Sequence, residues 1–89
     1  YASEVYVYFP GGFGTLDEFF EIVTLVQSKK IRNVPIILFG KEYWKPLLAF
    51  IEKTLYQEHA AIDEEDMKLY TVVDSVDEAY DYIIAHVSC

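Results

Sequence analysis

Ile36-Ile37-Leu38-Phe39 is a run of four apolar residues, entered through Asn33-Val34-Pro35 and stopped by Gly40. A strand with one wet face alternates polar and apolar residues, whereas an uninterrupted run of this length marks a parallel strand covered on both sides. Two further segments read as strands. Glu4 to Phe9 is β-branched and aromatic and is closed by Pro10, and Leu69 to Val73 has the same character. Helical patterns separate them. From Thr15 the apolar positions Leu16, Phe19, Phe20, Ile22, Val23, Leu25 and Val26 form a wide face, and Lys29 and Lys30 follow where a helix C-terminus favours cations. Tyr43 to Glu58 carries Leu47, Ile51 and Leu55 at i, i+4 spacing, with Pro46 expected in the first turn, where proline is tolerated. Ile62 to Asp66 suggests a short helical turn. After Asp74-Ser75, the apolar positions Val76, Ala79, Tyr80, Ile83, Ile84 and Val87 recur at helical spacing. The order β-α-β-α-β-α, with connections this long, predicts an α/β fold with right-handed parallel crossovers.

At 89 residues the chain is one domain at most, and a chain of that size buries only about 60–65% of the surface its unfolded form exposes. With 53% hydrophobic residues it has enough apolar material for a dense core, so disorder is excluded despite a net charge of -8. Fifteen acidic residues against seven basic ones argue against nucleic acid or an anionic membrane as a partner. No apolar run approaches the roughly 18 residues of a membrane span. The single cysteine, Cys89, cannot form an intramolecular disulfide or a cysteine metal cluster, which fits a reducing compartment such as the cytoplasm. Tyr1 enters a strand pattern almost at once, so residues 1–89 are expected to be one partial domain that lacks an upstream half.

The chemistry concentrates in Pro10-Gly11-Gly12-Phe13-Gly14-Thr15-Leu16-Asp17-Glu18. A strand that runs through glycines into a helix N-terminus gathers free backbone N–H groups at the positive end of the helix dipole, which suits a phosphate. Gly14-Thr15 has no lysine between, so this is not a P-loop, and Asp17 stands where a dinucleotide fingerprint would need its third glycine. Thr15 to Glu18 also has the spacing of a capping box, as do Ser75 and Glu78 in the third helix, where no glycine turn precedes and capping is the expected role. Glu21 lies one turn beyond Glu18 and is either a second carboxylate at the site or a solvated helix residue. Phe13 either stacks on a base or tucks under its own turn. His59 and His86 have no second ligand at metal spacing, and neither a metal nor another cofactor is expected.

The nine residues from Pro10 to Glu18 resemble the Pro-Gly-Gly-x-Gly-Thr-x-x-Glu signature of the LONELY GUY family, the cytokinin-activating phosphoribohydrolases that are often labelled lysine-decarboxylase-like. The similarity runs on through Phe19 to Gln27, Pro35 to Lys41, Ile62-Asp63 and Asp74 to Ile84, and corresponds to the C-terminal part of a family member. The resemblance implies a Rossmann-like three-layer α/β/α fold, here an incomplete β-α-β-α-β-α portion. It also implies a homodimer that hydrolyses the N-glycosidic bond of a nucleoside 5′-monophosphate to free base and ribose 5-phosphate. In that reading Glu18 matches the catalytic glutamate, while Gly11, Gly12, Gly14 and Thr15 match the phosphate-binding loop, with Phe13 between them. The signature around Glu18 favours catalysis over capping. Family members carry an Arg-Lys pair on the helix before the signature strand, and this chain begins after it, so little turnover is expected from the 89 residues alone. Arg32 is no substitute, lying about 25 Å away at the far end of the first helix. The rival expectation is a non-catalytic nucleotide-binding protein on the same fold, similar to molybdenum-cofactor carriers. The decarboxylase label finds no support, because the lysines fall at element ends or polar faces, whereas a pyridoxal-phosphate enzyme needs one in a desolvated pocket.

Overall fold

The computed structural model of the chain describes residues 4–86. Val87 and Cys89 therefore lie outside the described residues. Three strands, β1 (Tyr6–Tyr8), β2 (Ile36–Phe39) and β3 (Thr71–Val73), form one parallel sheet in the order β1-β2-β3. Three α-helices, α1 (Phe13–Gln27), α2 (Lys41–Phe50) and α3 (Val76–His86), complete an α/β fold of Rossmann-like arrangement. None of the described helices is long and apolar enough to cross a membrane.

The register explains where the core sits. Tyr6 pairs with Ile36, Tyr8 with Leu38 and Leu38 with Val72, so these side chains share one face of the sheet. When parallel strands follow one another in chain order, right-handed crossovers place both connecting helices on the same side. Accordingly Phe19, Ile22 and Val26 of α1 and Trp44 of α2 bury themselves against Ile36 and Leu38, joined by Ile51. Phe19 meets Trp44 edge-on at 5.4 Å and Tyr70 at 5.3 Å between ring centroids. On the second face Ile37 and Val73 are also buried, and α3 packs on β3. The central strand is thus covered on both sides, as its uninterrupted apolar run requires.

Several boundaries differ from expectation. The first helix begins at Phe13, two residues before Thr15. It closes at Lys29, which takes the left-handed conformation at φ 63°. There the Lys29 and Lys30 N–H groups donate to the Val26 and Leu25 carbonyls, both at 3.0 Å, a Schellman closure built on lysine instead of glycine. The second helix begins at Lys41 rather than Tyr43, which makes Pro46 its sixth residue and places it in the second turn, not the first. The Glu42 carbonyl, four residues earlier, therefore has no N–H at Pro46 to accept from. The helix continues from Ile51 to Glu58 as a wider π-helical stretch. A short 3-10 turn, Glu64–Lys68, matches the expected turn near Ile62 to Asp66 and is capped by Asp63. β3 is shorter than expected, starting at Thr71 instead of Leu69.

Candidate functional site

The glycine turn leaves the C-terminal end of β1 and becomes α1 with no side chain closing the helix. Gly12 is the N-cap, in an extended conformation (φ −107°, ψ −147°). The first intrahelical bond runs from the Leu16 N–H to the Gly12 carbonyl at 3.3 Å. By helix geometry, the N–H groups of Gly12 to Thr15 have no acceptor within the helix. They converge with the positive end of the α1 dipole at one point. A Cβ at Gly12 or Gly14 would meet nothing within 4 Å, so the packing of this chain does not by itself demand glycine there. Gly11 is different, because a Cβ there would fall on Thr15 Oγ1. Phe13 stands 92% exposed and is not tucked under its own turn.

The early helix start overturns one of the two roles open to Glu18. With Gly12 as N-cap, Thr15 is the third helical residue and Glu18 the sixth, so the pair forms no capping box. The matching pair in α3 does cap. The Ser75 hydroxyl accepts the Glu78 N–H at 3.1 Å, and the Glu78 carboxylate accepts the Asp74 N–H at 2.7 Å. Glu18 instead lines an open cavity of about 390 Å³ beside the β1 edge, together with Glu21, Tyr6, Tyr8, Ile22 and Leu25. Burial, and then the negative charge of Glu18, raises the pKa of the half-buried Tyr8 phenol, with smaller contributions from Tyr6 and Glu21. Both carboxylates therefore line one concavity, and both remain exposed to solvent.

Two neighbouring turns brace the glycine turn, through contacts that the sequence alone does not show. The Tyr43 hydroxyl donates to the Gly11 carbonyl at 2.7 Å. Gly40, at φ 105°, brings its backbone against the Pro10 ring, where a Cβ would lie 3.3 Å from Cγ. Gly40 N–H donates to the Val73 carbonyl at 2.8 Å, and Lys41 N–H to Asp74 Oδ1 at 2.8 Å. The turns after all three strands thus form one hydrogen-bonded chain at the carboxyl end of the sheet, where ligands of open α/β sheets bind. The available signal was positional: Gly40 to Tyr43 and Asp74-Ser75 both follow strands. Among the described residues no three His, Cys, Asp or Glu converge as a metal would need, and His86 Nδ1 lies 2.8 Å from the Tyr82 carbonyl.

A family model described as possible lysine decarboxylase matches residues 2–83. The chain belongs to that family. Its curated relatives bear out the LONELY GUY resemblance. The chain is 38% identical over 62 residues to the cytokinin riboside 5′-monophosphate phosphoribohydrolase of Rhodococcoides fascians, a match covering 68% of this chain and 28% of that protein. It is 38% identical over 56 residues to a probable enzyme of the same name from Oryza sativa subsp. japonica, covering 62% of this chain and 22% of the relative. An Arabidopsis thaliana enzyme of that name is 39% identical over 54 residues, covering 60% of this chain and 25% of the relative. The family member described here thus spans about a quarter of the length of the relatives it matches.

Proposed function

We propose that the protein hydrolyses the N-glycosidic bond of a nucleoside 5′-monophosphate, a cytokinin riboside monophosphate or an AMP-like nucleotide, to free base and ribose 5-phosphate. One observation carries the reading: α1 opens on Gly12 with no side-chain cap, so the turn keeps its N–H groups for an anion and Glu18 keeps its carboxylate for chemistry. Gly11, Gly12, Gly14 and Thr15 would hold the 5′-phosphate through backbone N–H groups and the Thr15 hydroxyl. Glu18 lies five residues past Phe13, about 7.5 Å along the helix axis, a separation of the order of a ribose 5-phosphate. As the C1′–N bond breaks and the base leaves with its electron pair, the ribose gains oxocarbenium character. The Glu18 carboxylate would stabilise that charge while water adds to C1′ and gives up a proton, with a proton delivered to the departing base nitrogen. Phe13, exposed within the same loop, would be available for contact with the nucleotide. The resemblance also pairs this glutamate with an arginine on a helix before the signature strand, and the activity is proposed for a protein that carries both.

Phe20, 39% exposed on α1, borders a groove of about 160 Å³ with Val23, Leu55, Ile62 and Tyr70. In our reading this face is buried in a homodimer, and the protein works in the cytoplasm. The test of function is incubation of the protein with AMP, following adenine and ribose 5-phosphate. Glu18→Ala should lose roughly 10²–10⁴-fold in rate. A variant as fast as the parent defeats the mechanism, and AMP that binds without being cleaved makes the protein a nucleotide carrier.

A further inference from the structure

A concavity of about 700 Å³ lies at the other end of the sheet. It is walled by the segments that lead into β2 and β3, so it faces away from the glycine turn. Its charge runs against that of the chain. Lys29, Lys30, Arg32 and Lys68 all line it, four of the seven basic residues, against Glu65 and Asp66, two of the fifteen acidic ones. Asp66 is already engaged, accepting the Gln27 amide and the Asp63 N–H, both at 2.9 Å. The ion pairs recorded among the described residues, Lys41–Glu78 and Lys53–Glu58, use none of Lys29, Lys30 or Lys68.

The plainest account of Lys29 and Lys30 is compensation of the α1 dipole. That account does not reach Lys68, which arrives from the 3-10 turn 38 positions further along the chain, nor does it explain why the cations surround a concavity. Lys29 sits there in a left-handed conformation that glycine would adopt at less cost. Like charges brought together repel unless an anion lies between them. The volume falls in the range of nucleotide-sized ligands, and Ile31 and Leu69 add an apolar wall.

We propose that this cavity is a second anion site, one that binds a polyphosphate: the phosphate chain on Lys29, Lys30 and Lys68, and, if the chain carries a nucleoside, its base on Ile31 and Leu69. The probes are sodium tripolyphosphate and ATP, titrated calorimetrically into the purified protein at 50 and 300 mM NaCl. Saturable binding should weaken several-fold at the higher salt. It should weaken about tenfold or more in Lys30→Gln/Lys68→Gln, a loss of about 1.4 kcal/mol or more. Lys29→Gly removes a charge at a position where glycine suits the backbone, so it should also weaken binding while the melting temperature holds or rises. AMP hydrolysis should be unchanged in all of these variants. Tighter binding of ATP than of tripolyphosphate assigns the apolar wall to a base, and equal binding assigns the site to inorganic polyphosphate. The proposal is overturned by absence of saturable binding, by affinity unaffected in the lysine variants, by displacement of the probe with AMP, or by preference for polyglutamate.

Discussion

Glu18 and Glu78 occupy the same place in two similar tetrads, and the structure separates them by what their carboxylates touch. Glu78 closes the start of α3, whereas Glu18 points into a concavity. Ser75→Ala should therefore lower stability by about 1 kcal/mol, and Glu18→Ala by less than about 0.5 kcal/mol, as thermal denaturation can measure. A loss of about 1 kcal/mol on Glu18→Ala would restore the capping role. Hydrogen bonding from the Asp74 backbone, ahead of the Lys41 charge, holds the Glu78 carboxyl below its ordinary value of 4.5. A depressed folded pKa contributes stability that is present above 4.5 and lost as pH falls through the lower folded value. The stability gap between the parent and Glu78→Gln should close over that acidic window. Tyr70 has the opposite sign. Burial, then Asp66 and Glu52, pushes its phenol from 10.0 up to about 12, so its contribution is full below pH 10 and lost as pH rises towards 12. Tyr70→Phe should flatten that alkaline limb.

The elements show which parts of the fold were legible and which were not. β2 was readable outright, since four apolar residues in a row admit few other environments. The start of α1 was not, because Phe13-Gly14 reads locally as turn and glycine is a poor helix former. What decides it is tertiary: Pro10 rests on Gly40 and Tyr43 holds the Gly11 carbonyl, so the chain is already aimed into the helix when it reaches Gly12. The same holds for α2, where Gly40 at φ 105° and the Lys41 N–H bond to Asp74 start the helix two residues early. That shift moves Pro46 inward, and Pro46→Ala should stabilise the protein by about 1–2 kcal/mol. In a domain of this size such a gain is worth several degrees in melting temperature. A lower melting temperature would mean that the proline ring contributes packing beyond its backbone cost. In the candidate site, the glycines and Glu18 were visible as a motif. Tyr43 and Asp74 were not, since their roles depend on residues some 30 positions away.

Across the whole molecule, the three strand-end turns are joined from Gly11 to Glu78, so the glycine turn is positioned by residues outside its own motif. Tyr43→Phe should therefore raise KM for AMP several-fold with a small change in kcat and a stability loss of about 1 kcal/mol. An unchanged KM would show that the turn holds its shape without the phenol. The order β1-β2-β3 carries a consequence for how the molecule forms. Each strand pairs with the strand before it in the chain, Tyr6 with Ile36 and Leu38 with Val72, so the two closures span loops of about equal length and similar entropic cost. Among the described residues, no strand inserts between two that precede it in the chain. During synthesis the sheet can grow by one strand for each helix that emerges, with β2 docking on a finished β1-α1 unit and β3 on β2.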